Sequence, residues 1–99
     1  MEATIVKKDG TIAIAPVGRL DTVSSAELKK QLENAGISGL NIDLDFTNVE
    51  YISSAGLRLL VALQKEATET GHTLVVRNIN KVVNEVFKVA GFHKVLTVL

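Results

Sequence analysis

The stretch LNIDLDFT, Leu40 to Thr47, alternates apolar Leu40, Ile42, Leu44 and Phe46 with polar Asn41, Asp43, Asp45 and Thr47. A period of two sends the four apolar side chains to one face of an extended segment, so this stretch predicts a strand with one buried face. Something must cover that face, and the flanking segments carry helical patterns. In DTVSSAELKKQLENAG, Ser24 and Glu27 have the spacing of a capping box, Ala26, Leu28, Leu32 and Ala35 form an apolar stripe, and Gly36 is a stop. SSAGLRLLVALQKEATETG predicts a second helix ending at Gly71. NKVVNEVFKVAG predicts a third, with Val82, Val83, Val86, Phe87 and Ala90 spaced to bury one side.

The remaining segments read as strands. ATIVKKDGTIAIAPVG holds β-formers around Asp9-Gly10, a strong hairpin signal. Pro16 has no N–H for a ladder and belongs near a strand end, and Gly18 breaks that strand. HTLVVRN is a short strand, and FHKVLTVL is a candidate last one. The order β-β-α-β-α-β-α implies an α/β fold: a small mixed sheet of four to five strands, opening with an antiparallel hairpin and continuing by right-handed parallel crossovers, covered by about three helices. No linker, repeat or low-complexity segment divides residues 1–99, so one domain is expected.

At 99 residues and 46% hydrophobic, the chain has enough apolar side chain for a single core. Eleven basic and eleven acidic residues cancel, so the charge total draws it to neither nucleic acid nor anionic lipid. Without cysteine there is neither a disulfide nor a thiolate metal site. MEATIVKKDG lacks the basic start and apolar run of a signal peptide, and no apolar run approaches the roughly 18 residues of a membrane span. A soluble cytoplasmic protein, with no membrane insertion and no direct nucleic-acid binding, is the expectation.

Chemistry-bearing residues are few. His72 and His93 stand beside glycine-containing turns without clustered carboxylates, which points to solvent exposure rather than a metal site. SSAG is not the Gly-x-Ser-x-Gly elbow of a hydrolase, and no phosphate-cradling loop occurs. No cofactor and no catalysis are expected; a small enzyme or nucleotide-binding domain would rest only on polar loops at the sheet edge. Ser53 and Ser54 stand at a strand-to-helix junction, where a serine caps the helix by accepting an early N–H. The same position is open to modification, since the helix dipole favours a phosphate there. Both readings stand at this level. Asp21, after an earlier strand, is either a turn or near-cap residue or a second polar group on the same sheet edge, if the two preceding strands run parallel. At about 100° per residue, Leu57, Leu60, Leu63 and Ala67 share one face of the second helix, and Leu59 lies roughly 110° from its centre. An exposed Leu59 would be an interaction candidate.

Together these segments resemble the STAS domain, and within it the stand-alone anti-anti-sigma factors (anti-sigma factor antagonists) of bacteria. VGRLDTVSSAELKKQL is similar to the family's first strand-to-helix passage, NIDLDFTNVEYISSAGLRLLVALQKEATETGHTLVV to its central signature, and NINKVVNEVFKVAGFHKVL to its closing helix and tail. The resemblance implies that Ser54, or Ser53 as the alternative, is phosphorylated by an anti-sigma factor that is also a GHKL-type serine kinase. It implies dephosphorylation by a PP2C-type phosphatase, and release of the partner by the phosphate. Together with the reading of the residues, it makes Asp21, Ser53, Ser54, Gly56, Arg58 and Leu59 the candidate partner contacts. Two positions depart from the family pattern: Ser53 stands where aspartate is usual, and Ala55 where the second serine is. A STAS scaffold subunit of a bacterial lipid-transport ATPase complex is the alternative that the same resemblance offers, with the serines acting as caps or contacts.

Overall fold

Asp9 and Gly10 both take positive φ, 51° and 78°, which a tight two-residue hairpin turn requires at both central positions. In the structure, a computed structural model that describes residues Met1–Leu99, this turn joins β1 (Ala3–Lys8) to β2 (Thr11–Pro16) in an antiparallel pair, with Ile5 opposite Ile14. Pro16 ends β2, as its missing N–H demands. The strand read from the alternating stretch is β4 (Asn41–Asp45), parallel to β2 on one side and to β6 (Leu74–Arg77) on the other. The candidate last strand is β7 (Thr97–Val98), parallel to β6 and preceded by a turn of 3-10 helix over Phe92–Lys94. The sheet therefore runs β1-β2-β4-β6-β7.

One face of this sheet, carrying Ile12, Ile14, Ile42, Leu44, Leu74 and Val76, is buried beneath helices. They are α1 (Thr22–Ala35), α2 (Ser54–Glu69) and α3 (Lys81–Val89). The opposite face carries Ala13, Asp43, Val75 and Arg77, exposed or half-buried, with Arg77 Nε 2.8 Å from Asp43 Oδ1. The sheet is bare on that side, although parallel strands are ordinarily covered on both. No helix is long and apolar enough to cross a membrane.

Two strands escaped the sequence reading. Gly18 begins β3 (Gly18–Leu20) rather than ending β2, and the chain beyond Thr47 extends again as β5 (Val49–Ile52). β3 and β5 form a separate parallel pair, Leu20 beside Ile52. Gly18 turns the chain out of β2 at φ 101°, a conformation open to glycine alone at low cost.

Each helix buries most of the stripe expected of it, with differences at the margins. In α1, Ser25, Leu28 and Leu32 are buried while Ala26 is exposed. Its cap is also one turn earlier than Ser24 and Glu27 suggested: Asp21 is the N-cap, and Ser24 closes the box as the third helical residue. Glu27 instead holds the N-terminal ammonium at 2.7 Å. In α2 the buried set is Gly56, Leu59, Leu60, Leu63 and Ala67, with Leu57 only half-buried. In α3, Val83 and Phe87 are buried, whereas Val82 is 51% exposed and Ala90 lies outside the core.

Asn80 ties α3 to β5. Its Oδ1 accepts the Val83 N–H at 2.8 Å, capping the helix, while its Nδ2 donates to the carbonyls of Val49 at 3.1 Å and Glu50 at 3.2 Å. Asn80→Ala removes the cap and leaves those carbonyls without this donor. A loss of about 2 kcal/mol is expected from the urea midpoint. Asn80→Ser keeps a cap and should recover about half; an unchanged midpoint in the alanine variant would show that solvent replaces all three bonds.

Candidate functional site

Each strand of the β3/β5 pair passes into a helix through a single residue. Asp21 follows Leu20 and Ser53 follows Ile52, and because Leu20 and Ile52 are register partners the two N-caps stand side by side. Their backbones are joined, since the Ser53 N–H donates to the Leu20 carbonyl at 2.8 Å. The parallel arrangement on which the proximity of Asp21 to the serines depended is thus present. Two helix N-termini, each with partial positive charge, open on one edge of the molecule.

The serines differ in what their hydroxyls do. Ser53 Oγ accepts the Gly56 N–H at 3.4 Å and is the N-cap of α2; Ser54 is the first residue within the helix and is exposed. One hydroxyl is engaged and the other faces solvent. Gly56, a turn further on, is buried where a Cβ would lie 2.5 Å from Ile52 Cγ1 and 3.0 Å from the Leu20 carbonyl oxygen. Its role is the close approach of α2 to the β3/β5 pair, not a surface contact.

Asp21 caps α1 through one carboxylate oxygen and its backbone N–H. Its Oδ1 accepts the Ser24 N–H at 2.9 Å and the Ser24 hydroxyl at 3.0 Å, and its own N–H donates to Ser24 Oγ at 2.9 Å. The bonds from the Ser24 backbone and then its hydroxyl hold the Asp21 carboxyl below its ordinary 3.8, with a smaller pull from Arg19. A lowered carboxylate stabilises the fold fully at pH above 3.8, and that contribution disappears as pH falls through the folded-state value. Asp45, lowered chiefly by the Thr47 hydroxyl, acts in the same direction. Urea midpoints measured from about pH 5 to pH 2 should therefore fall, and fall less in Asp21→Asn, which caps without titrating. Parallel curves for the two proteins would remove Asp21 from the acid response.

Around the caps, the Arg19 guanidinium lies over the Tyr51 ring, 4.6 Å from its centroid. Arg58, one turn along α2, is exposed. It borders a cleft of about 250 Å³ between α1 and α2 with Thr22, Ser25, Lys29 and Leu59. Leu59 is only 6% exposed and forms part of that wall, so the exposure that would have made it an interaction candidate is absent. On the α3 side of α2 lies a largely apolar groove of about 420 Å³ lined by Tyr51, Leu57, Glu85, Val86 and Val89, with Ser54 at its border. The sequence reading missed this groove. Its signal was a second apolar stripe on α3, Val82, Val86 and Val89 at helical spacing, outside the stripe that Val83 and Phe87 bury.

The histidines lie outside this edge: His72 Nδ1 is 3.0 Å from Thr70 Oγ1, and His93 Nε2 is 2.9 Å from Asn84 Oδ1. No three His, Asp or Glu side chains gather as a metal-holding group. What the arrangement offers is an exposed hydroxyl at the start of a helix, one residue from the paired Asp21 and Ser53 caps, with an unpaired guanidinium one turn on and an apolar groove at its border.

Residues 3–98 match the family model described as Mlab, STAS domain. BtrV of Bordetella bronchiseptica, named as an anti-sigma factor antagonist, is 29% identical over 99 residues, which is 99% of this chain and 85% of BtrV. Among solved structures, one described as an anti-sigma factor antagonist from Thermotoga maritima superposes with a TM-score of 0.85 at 20% identity, covering 97% of this chain and 84% of that one. The anti-sigma factor antagonist SpoIIAA in its unphosphorylated form gives 0.82 at 18% identity, over 99% of this chain and 88% of SpoIIAA. The phosphorylated form of SpoIIAA from Bacillus gives 0.75 at 17% identity, over 99% and 91%. The structural likenesses bear on fold.

Proposed function

The chain belongs to the STAS domain family, and from that premise we propose that it is a phospho-switchable antagonist of an anti-sigma factor, working in the cytoplasm by binding rather than catalysis. Unphosphorylated, it binds an anti-sigma factor that is also a GHKL-type serine kinase, across the edge carrying Asp21, Ser53, Ser54 and Arg58. The kinase supplies ATP and magnesium. The Ser54 oxygen attacks the γ-phosphorus, ADP leaves, and the hydroxyl proton passes to a base of the kinase. A PP2C-type phosphatase returns the serine by hydrolysis, releasing inorganic phosphate.

One observation carries this reading: Ser53 is engaged as the cap, while Ser54 beside it is exposed. A phosphate on Ser54 therefore breaks no cap, and the α2 N-terminus tolerates the charge. Nearly two negative charges arrive beside the Asp21 carboxylate and repel a partner docked there without unfolding the domain. Support also comes from SpoIIAA, which is known in phosphorylated and unphosphorylated forms.

The test is phosphosite mass spectrometry on protein from its native cells, with a phosphatase-treated control and a Ser54→Ala strain. Phosphate at Ser54 under some growth conditions, absent from the alanine strain, is the expected result. Ser53→Ala should cost about 1 kcal/mol of stability and leave the phosphate in place. An unmodified Ser54 across growth phases and stresses would sink the switch.

The cap made by Ser53 favours a second reading, a constitutive scaffold such as the STAS subunit of a bacterial lipid-transport ATPase complex, in which Ser53 is only a cap and Ser54 only a contact. Co-purification with a transporter ATPase, indifferent to Ser54→Ala, would select it.

A further inference from the structure

Ser54 and Arg58 are four residues apart on α2, and both are exposed. Positions i and i+4 lie about 40° apart around a helix, so Arg58, at the border of the α1 cleft, shares the exposed stripe of Ser54 and is its neighbour one turn on. An acid followed four residues later by a base is also the more favourable order for such a pair. The ion pairs within the chain join Met1 to Glu27, Lys65 to Glu69 and Arg77 to Asp43, which leaves the Arg58 guanidinium without an acidic partner.

We propose, on the basis of the Ser54 reading above, that Arg58 is the positioning residue for a phosphate on Ser54. Its planar fork of donors pairs with two phosphate oxygens. The modification then changes the edge in two ways. It adds charge at Ser54, and it withdraws the one uncommitted guanidinium of the α2 surface from any partner that would use it. The other charged groups facing this position are Glu85, across the α3 groove, and Asp21 and Arg19 at the neighbouring junction, with Lys29 on the far wall of the α1 cleft. Glu85 and Asp21 oppose the phosphate; Arg58 shares its helix stripe.

The test needs no kinase. Phosphoserine is installed at position 54 by genetic code expansion, and its second ionisation is followed by phosphorus NMR. Free phosphoserine titrates at about 6. Arg58→Gln should raise the value found in the otherwise unaltered phosphoprotein by about half a pKa unit, Arg58→Lys should restore most of the difference, and Glu85→Gln should lower it. The unphosphorylated Arg58→Gln protein should melt with the wild type, since the side chain is exposed. Equal ionisation in the Arg58 and Arg58→Gln phosphoproteins would overturn the pairing. Because the phosphate is installed rather than acquired, an unmodified Ser54 in native cells would refute the switch without altering this titration, and the two failures are distinguishable.

Discussion

Gly56→Ala should melt roughly 10 °C below the wild-type protein in a circular dichroism scan, corresponding to about 2 kcal/mol for a domain of this size. On helix propensity alone the change would be favourable by about 1 kcal/mol, because alanine replaces glycine within a helix. The surroundings reverse the sign. The added methyl would sit 2.5 Å from Ile52 Cγ1 and 3.0 Å from the Leu20 carbonyl oxygen. Ile52 and Leu20 are each 0% exposed, so neither has room to retreat. The first turn of α2 would have to lift from the β3/β5 pair, and such overpacking costs about 1–3 kcal/mol, occasionally more. Ser54 rides on that turn, so the phosphorylation proposed for it should slow as well. A melt matching the wild type would mean that α2 accommodates the methyl by a shift small enough to cost nothing.

Stoichiometric phosphate on Ser54 should weaken the complex with the anti-sigma factor, once that partner is identified, by about 100-fold in a calorimetric titration. The estimate rests on charge: a dianion is placed on the proposed docking edge, which already carries the Asp21 carboxylate, and like charges brought together across an interface cost several kcal/mol. The loss should shrink at high salt, because this edge is exposed and screened. Ser54→Ala should bind as tightly as the unmodified protein. If the phosphorylated and unphosphorylated proteins bound equally, the scaffold reading would take precedence.

What the sequence disclosed, and what it hid, follows from how each element announces itself. The central strand was legible because Ile42, Leu44 and Phe46 face one way and Asp43 and Asp45 the other. The opening hairpin was legible because Asp9-Gly10 is among the few dipeptides that suit positive φ twice. β3 and β5 were not, being three and four residues long, too short for alternation to show. The buried face of α2 was misjudged because its centre includes Gly56, which has no side chain to mark it. Once Gly56 counts as buried, Leu59 and Leu60 follow at helical spacing. The cap of α1 was placed one turn late because its box closes with a serine rather than the usual Glu or Gln. At the candidate site, the serine pair and Asp21 stood out in the sequence. Their proximity was legible only as a condition on parallel strands, because it depends on Leu20 pairing with Ile52, residues far apart in the chain.

The single-residue passages from β3 into α1 and from β5 into α2 also bear on where this chain can change length. Elsewhere, connections such as Asp9-Gly10 or the stretch from Gly36 to Leu40 are exposed or half-buried, and extra residues there can loop into solvent at modest entropic cost. An insertion beside Asp21 or Ser53 has no such outlet. It would turn the following helix by about 100° about its axis, carrying the core leucines away from the sheet and the exposed serine with them. Insertional mutagenesis should therefore give a sharply polar map, permissive at the hairpin and α1-exit loops and closed at the cap junctions.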